Sequence, residues 1–467
     1  IKKKYLPKMF SGEYTGTMCL TEPQAGSDVG ELSTKAFPTD EPRIFNIKGQ
    51  KIFISNGDND FAENIVHLLL ARVDGALPGT RGISLFIVPK YWINDDGRQV
   101  FNDVFATGIE EKMGQHANPT VTLSFGENNS CRGYLLGINP LEHEGKGNGM
   151  ALMFNMMNEE RLVTGVHSSG LIANAFYNAR DYAKERVQGV SFTNPEKGRV
   201  PIIEHEDIKR ALLRGKAIVE AIRAMTYKSY LDIEIAHWDP DPEERKKASD
   251  ELAVNIPIIK GYSSEIGWDL IGTEAIQIYG GYGYVSDYPC EKLARDIKIN
   301  TLYEGTTYIQ SMDLIGRKWI MEKGALFSRW MQAIKDFYEI NAKTPGWEKE
   351  FEQLGKAIKS YQEIQMCLAG FSKDKNKLGL IPTYAKRIMM ATAQLYGGRL
   401  LLDQALLAEK KIQELGQDHY DFKFYQGKIM AARYFLLNVV PEVAGLAEIV
   451  KLADTSILDI DIECFEY

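Results

Sequence analysis

Residues 43–57 read RIFNIKGQKIFISNG, and the alternation of apolar and polar side chains in this stretch decides the class of the first part of the chain. A period of two residues is typical of a β-strand with one buried face. Gly49 separates the two halves of the stretch. The alternation in KIFIS predicts two faces, with Ile52 and Ile54 on one, and Lys51, Phe53 and Ser55 on the other. We expect the first face to pack and the second to be free for function.

The segments around this stretch extend the β pattern over residues 14–135. Short apolar runs such as VHLLLARV, GISLFIVP and TVTLSF follow one another between turn residues, without helical segments in between. Several short strands of this kind predict a small antiparallel β-barrel or sandwich domain.

Helical periodicity replaces the β pattern from about residue 145. In EDIKRALLRGKAIVEAIRAM, residues 206–225, the apolar positions recur every three to four residues and define one broad buried face. Four such segments predict an antiparallel four-helix bundle. The helical pattern continues after Lys323 to about residue 453, with breaks near Pro345, Gly379 and Gly416, and predicts about four more helices whose role is packing or assembly.

The fold class that we predict is therefore a multidomain α and β protein. The β domain is expected over residues 1–143, the helical bundle over 144–323, and a further helical domain over 324–467.

Composition excludes several classes of function. The chain has 467 residues, is 44% apolar and carries a net charge of −8 with interspersed signs, which argues against nucleic acid as a partner. It lacks the roughly 18 uncharged apolar residues that a membrane span needs. Its five cysteines are far apart and predict neither disulfides nor a metal site, so we expect a reducing, cytoplasmic location.

Two motifs that suggest cofactor chemistry have simpler interpretations. GKGNGMALMF, residues 145–154, lacks the third glycine of a dinucleotide fingerprint and is followed by helices, so it is better explained as a turn. His143 and His205 each lie between two glutamates, but neither has a second histidine at ligand spacing, and we predict no metal.

Three stretches indicate a functional pattern only when they are considered together. They are MCLTEPQAGSDVG at 18–30, QIYGGYGY at 277–284 and TLYEGTTYIQ at 301–310. Each alone is explained as a turn, a helix C-cap or a helix N-cap. In this order, and with KIFISNG between them, they resemble the signatures of the acyl-CoA dehydrogenase family over about residues 10–320. The extra helical region after residue 323 is similar to the long branch of that family, which includes 3-methylmercaptopropionyl-CoA dehydrogenases.

The resemblance implies an FAD site and at least a dimer, since part of the cofactor would be held across a subunit interface. The implied cofactor-binding residues are Met18, Leu20, Thr21, Gly26, Ser27, Phe53, Ile54, Ser55, Arg186, Gln277, Gly280, Gly281 and Thr306. Among them, Arg186 is implied to meet the pyrophosphate. Gln277, Gly280 and Gly281 are implied to hold the adenosine half. The implied substrate-binding residues are Ser27, Asn158, Arg161 and Gly305.

Glu304 corresponds to the family's catalytic base. The implied reaction removes the α-proton of an acyl-CoA thioester while the β-hydrogen leaves as hydride to FAD, giving the trans-2-enoyl-CoA. Electrons would then pass to an electron-transferring flavoprotein, in a dimer or tetramer that serves fatty acid metabolism. Two alternatives are an acyl-CoA oxidase that uses oxygen and a non-catalytic relative that keeps the scaffold for binding.

The family also has an N-terminal all-helical domain before the first signature. Only about seventeen residues precede MCLTEP here, so that domain is absent from this sequence. We expect a chain without it to be weakly active or inactive alone.

Overall fold

The structure is a computed structural model that describes residues 1–466. It contains two compact units, which divide at Glu159 and Glu160. Within the described residues, none of the helices combines the length and the apolarity that crossing a bilayer requires.

Unit 1 is a β domain preceded by one helix, α1 (Lys2–Ser11). Its strands are β1 (Tyr14–Cys19), β2 (Lys35–Pro38), β3 (Ile44–Ser55), β4 (Asn64–Val73), β5 (Ile83–Pro89), β6 (Tyr91–Ile93), β7 (Gln99–Phe101), β8 (Val104–Ile109), β9 (Thr120–Phe125) and β10 (Arg132–Leu136). Eight of them form one sheet in the order β1-β4-β5-β10-β3-β9-β8, with β2 beside β3 and β4. The predicted β domain is confirmed. The sheet is mixed, however, because β1 and β2 both run parallel to β4.

Apolar residues of β3, β4, β5 and β9 fill the interior of this domain. Phe45 and Ile47 of β3, Leu69 of β4, and Phe86 of β5 belong to one buried cluster. Phe45 and Phe86 meet edge to face, with ring centroids 5.6 Å apart. The predicted period of two is thus satisfied in the first half of β3.

Unit 2 is helical except for a short hairpin of β11 (Val187–Val190) and β12 (Arg199–Pro201). Its helices are the larger part of α2 (Gly149–Glu185), then α3 (Glu206–Trp238), α4 (Pro242–Leu270), α5 (Ile276–Tyr279), α6 (Pro289–Lys298), α7 (Thr307–Asp313), α8 (Ala325–Asn341), α9 (Glu348–Phe371), α10 (Leu380–Leu415), α11 (Phe422–Asn438), α12 (Glu442–Leu452) and α13 (Ser456–Asp459). Breaks lie near all three predicted positions after Lys323. Two further breaks give six helices there instead of about four. One is at Pro441, which has no N–H to donate, and the other follows Leu452, where Ala453 is left-handed.

One apolar cluster is continuous through unit 2, from Leu162 to Val450. A buried polar chain accompanies it: the Trp330 indole donates to Asn255 at 3.0 Å, and the Asn255 amide donates to the Tyr396 hydroxyl at 3.2 Å. These bonds join helices on both sides of Lys323. The division into domains at 143 and 323 stays a prediction.

Candidate active site

The turn that carries Glu304 has an unusual backbone. Glu304 and Gly305 both lie in the left-handed region, with φ of 56° and 85°. A left-handed residue other than glycine costs about 1–3 kcal/mol and persists only where its surroundings hold it. Glu304 is two residues before the N-cap of α7, Thr306, whose hydroxyl accepts the Ile309 N–H at 3.3 Å. Glu304 therefore precedes the helix, rather than starting it.

Three buried side chains donate hydrogen bonds to the carbonyls of this turn. The Glu304 carbonyl accepts from Arg161 Nε and from Gln310 Nε2, each at 3.2 Å. The Gly305 carbonyl accepts from Lys260 Nζ at 2.6 Å and from Gln310 Nε2 at 3.4 Å. Lys260 and Gln310 are fully buried, and Arg161 is 4% exposed. These donors explain how the left-handed conformation is maintained.

The Glu304 carboxyl group has one buried oxygen and a raised pKa. Its Oε2 atom is buried and makes no hydrogen bond to the described residues. Burial raises the pKa of Glu304 to about 7, the nearby Glu160 raises it as well, and Arg161 and Lys260 oppose the shift. A carboxylate with a pKa near neutrality is suited to act as a general base.

Unit 2 also has a cavity of about 690 Å³ that brings four predicted cofactor residues together. Arg186, Gln277, Gly280 and Gly281 all line it. Gly280 has a φ of 62°, and a Cβ atom at either glycine would meet nothing within 4 Å. The glycines therefore keep one wall open for a ligand to approach.

Aromatic rings form another part of that wall. Tyr182 and Tyr279 line the cavity and stack at 4.4 Å, and the Arg186 guanidinium lies 5.9 Å from the Tyr282 ring centroid. A guanidinium suits an anionic group, and the rings and the amide suit a planar base. The residues present thus fit the nucleotide part of a dinucleotide cofactor.

In unit 1, a β-bulge in β3 exposes Phe53. Lys51 pairs with Leu123 and Ile54 with Val121, so Ile52 and Phe53 together oppose Thr122 alone. Phe53 has a φ of 59° and its side chain is 59% exposed. Because an aromatic residue rarely adopts this conformation, the strain marks Phe53 as a functional candidate.

The bulge also corrects one expectation about the faces of β3. Phe53 and Ser55 are exposed and Ile54 is buried, as predicted. Placing Lys51 on the face of Phe53 was wrong, because Lys51 is fully buried and the bulge resets the alternation after it. The Ile54 side chain belongs to the core, so any contact that it makes with a cofactor would use its backbone.

The first signature forms a turn beside β3. The Thr21 carbonyl accepts the Ile52 N–H at 2.9 Å, which ties the signature to the bulge. Met18 and Leu20 pack in an apolar cluster of unit 1, whereas Gly26 and Ser27 are exposed. The structure thus brings Thr21 close to the bulged strand and leaves Ser27 free to contact a ligand.

A buried ion pair that sequence reasoning missed fixes this turn. Lys51 Nζ donates to Glu22 Oε1 at 2.7 Å and to the Leu20 carbonyl at 3.1 Å, and both charged side chains are fully buried. Glu22 also accepts the N–H groups of Ser33 and Thr34 at 2.6 and 3.1 Å. Lys51 and these N–H groups hold the pKa of Glu22 at about 2 against the effect of burial. The sequence signal that could have indicated this pair was a lysine within an alternating strand together with a glutamate in the first signature.

Sequence reasoning also missed Lys260 and Gln310. Lys260 interrupts the apolar run NIPIIKGY in α4, and a lone charge in a buried helix segment was the signal that could have found it. Gln310, at the end of TLYEGTTYIQ, gave no signal of its own. Asn158 is half-buried on the part of α2 that belongs to unit 1, and its predicted role toward CoA stays a prediction.

Comparisons with known proteins identify the family. Residues 17–127 match the acyl-CoA dehydrogenase middle domain, residues 147–319 the acyl-CoA dehydrogenase C-terminal domain, and residues 330–461 a family described as acetyl-CoA dehydrogenase C-terminal like. A butyryl-CoA dehydrogenase of Syntrophomonas wolfei is 48% identical over 100% of this chain and 75% of its own length. A 3-methylmercaptopropionyl-CoA dehydrogenase of Ruegeria pomeroyi is 33% identical over 97% of this chain and 74% of its own.

A solved structure supports the same fold. An acyl-CoA dehydrogenase from Bacillus anthracis, complexed with FAD, matches with a TM-score of 0.73 at 24% identity, over 98% of this chain and 73% of that one. The chain is therefore a member of the acyl-CoA dehydrogenase family of oxidoreductases.

Proposed function

We propose that this protein catalyses the FAD-dependent α,β-dehydrogenation of an acyl-CoA thioester to the trans-2-enoyl-CoA, with Glu304 as the base. The observation that carries the proposal is the buried Oε2 atom of Glu304, which has no hydrogen-bond partner among the described residues. Packing does not explain a buried carboxylate oxygen that has no hydrogen-bond partner and is held in a strained turn.

The residues of the chain have distinct parts in this proposal. Glu304 accepts the α-proton of the substrate, and its pKa of about 7 leaves a useful fraction ionised at neutral pH. Arg161 and Gln310 hold the Glu304 carbonyl, so the carboxylate is kept in one place. FAD, when bound, supplies the acceptor for the β-hydrogen and its electron pair.

The residues proposed to hold the cofactor form two sets. Arg186 would bind its pyrophosphate, and Gln277, Gly280 and Gly281 its adenosine half, because they line one cavity with aromatic walls. The residues proposed for the flavin side are Met18, Leu20, Thr21, Gly26, Ser27, Phe53, Ile54, Ser55 and Thr306. The Thr306 hydroxyl accepts a helix N–H and keeps its own proton for donation.

A short straight-chain acyl-CoA is the substrate that we propose. The relative that is 48% identical over the whole chain is a butyryl-CoA dehydrogenase, and the 3-methylmercaptopropionyl-CoA dehydrogenase is 33% identical. We therefore expect butyryl-CoA to be turned over faster than 3-methylmercaptopropionyl-CoA. Transfer of electrons to an electron-transferring flavoprotein, a homo-oligomeric state and a cytoplasmic location are part of the same proposal.

The test is an anaerobic titration of the FAD-loaded protein with butyryl-CoA, followed by flavin absorbance. We expect bleaching in the wild type and at least a thousandfold slower bleaching in Glu304→Gln, because the amide cannot accept the α-proton, a loss on the order of 4 kcal/mol in the barrier. Glu291→Gln is the matched control, since Glu291 pairs with Arg295 on α6. Bleaching of Glu304→Gln at the wild-type rate would show that another group is the base.

A further inference from the structure

Lys260 is a buried cation that the proposed reaction leaves without a role. It lies in the middle of α4, where residues 254–264 are all buried. Removing an ammonium group from water costs several kcal/mol unless hydrogen bonds and an opposite charge offset the loss. Since Gln310 already donates to the Gly305 carbonyl, a hydrogen bond alone does not explain why this position carries a charge.

The charges around Lys260 point to the base. Glu304 and Glu265 are the acidic groups that favour its protonated form, and Arg161 disfavours it. Glu265 is already paired with Lys386 at 2.7 Å. Glu304 in turn faces Glu160, Arg161 and Lys260. Among the described residues, Glu304 is thus the acidic neighbour of Lys260 whose carboxylate is not already held in a salt bridge.

We propose that Lys260 is a positioning residue for the base: it holds the Gly305 carbonyl of the strained turn, and its positive charge keeps the neighbouring Glu304 carboxylate ionised. The inference rests on the proposed role of Glu304. Lys260 donates at 2.6 Å to the residue next to the base, from a helix that starts more than forty residues earlier in the chain. It therefore acts on the substrate only through Glu304.

Burial changes the protonation of both groups in the way this role requires. It raises the pKa of Glu304 to about 7 and lowers the pKa of Lys260 to about 7. Each charge favours the ionised form of the other group, so a protonated Lys260 extends the ionised state of the carboxylate to lower pH. Removing the charge shifts the titration of Glu304 upward.

Two variants separate the charge from the hydrogen bond. Lys260→Met removes both. Lys260→Gln removes the charge and retains a polar donor, so it is expected to fold even if Lys260→Met does not. Lys386→Met is the matched control, because this lysine of α10 pairs with Glu265 of α4, and not with a carbonyl of the turn.

The main readout is the infrared titration of the Glu304 carboxyl group, assigned by its loss in Glu304→Gln. We expect the midpoint to rise by about one pH unit in both Lys260 variants and to stay at the wild-type value in Lys386→Met. The pH profile of kcat should shift by the same amount, with roughly tenfold slower turnover below the midpoint. A wild-type midpoint in Lys260→Gln overturns the inference, even where turnover falls at every pH.

The proposed function is judged by a different result. Loss of turnover in Glu304→Gln together with an unchanged midpoint in the Lys260 variants would reject the inference and leave the base in place. Full turnover in Glu304→Gln would reject the base itself.

Discussion

At the scale of single residues, burial gives Glu304 its chemistry and also a cost in stability. Its folded-state pKa of about 7 lies above the ordinary value of 4.5. A carboxyl group whose pKa is raised on folding contributes stability below the unfolded pKa, and this contribution is lost as pH rises through the folded pKa. The base therefore destabilises the folded protein at pH values where it is active.

We predict that Glu304→Gln is more stable than the wild type at pH 8. The free energy of unfolding should rise by about 1–3 kcal/mol, because the amide carries no charge to bury. The difference should disappear near pH 4, where the wild-type carboxyl is protonated in both states. Chemical denaturation at the two pH values measures it, and equal stability at pH 8 would contradict the buried, charged carboxylate.

Gly305 offers a second test at this scale. Its φ is 85°, and an added Cβ would lie 2.6 Å from Gln310 Nε2. We predict that Gly305→Ala costs about 1–2 kcal/mol of stability and slows turnover, because the left-handed turn and the Gln310 bond are both disturbed. Gly316→Ala is the control, since the nearest atom to its Cβ is Met312 Cε at 3.6 Å and its φ is not positive. Thermal unfolding and kcat of the two variants should differ clearly.

At the scale of elements, the buried ion pair between Lys51 and Glu22 ties the bulged strand β3 to the first signature. We predict that Lys51→Met destabilises the protein by about 3–5 kcal/mol, because it leaves the buried Glu22 charge without its cation. The double variant Glu22→Gln with Lys51→Met should recover part of that loss. A double-mutant cycle by urea denaturation measures the coupling, and strictly additive losses would mean that the pair is not coupled.

The bulge leads to a separate prediction for Phe53. Phe53→Gly should leave stability nearly unchanged, since the ring is mostly exposed and glycine tolerates a φ of 59°. The neighbouring Ile54→Ala should cost about 2–4 kcal/mol, because that side chain is in the core. If Phe53 contacts the flavin, Phe53→Gly should bind FAD more weakly without unfolding, as fluorescence titration would show. Unchanged FAD affinity would remove Phe53 from the site.

At the scale of the whole molecule, the helices after Lys323 complete the core of unit 2. Asn255 of α4 accepts a bond from Trp330 and donates one to Tyr396, and these bonds connect the two helical regions in the interior of unit 2. We predict that truncation after Lys323 prevents folding, because it exposes the apolar faces of α3 and α4 that pack against α10. Truncation after residue 455 is the control, since the side chains of residues 456–466 are exposed. Circular dichroism and solubility of the two fragments test this prediction, and a folded 1–323 fragment would contradict it.

Much of this arrangement could be predicted from local patterns. Ile218 and Ile222 of α3, and Ile388 and Leu395 of α10, are buried where a 3.6-residue period places them. That period reports the face of a helix and nothing about its neighbours. Lys260 lies in a segment with this helical period, but the period does not show that its side chain meets the Gly305 carbonyl.

The sequence by itself determined the order of β and helical regions, the family signatures and Glu304 as the candidate base, because periodicity and motif spacing are local properties of the chain. The tertiary structure decided the chemical state of that base. Lys260, Arg161 and Gln310 lie on three different helices and meet only at the Glu304–Gly305 turn, where burial moves the pKa of the carboxyl to about 7. Desolvation and electrostatic coupling depend on distances between residues far apart in the chain, and no local pattern specifies them.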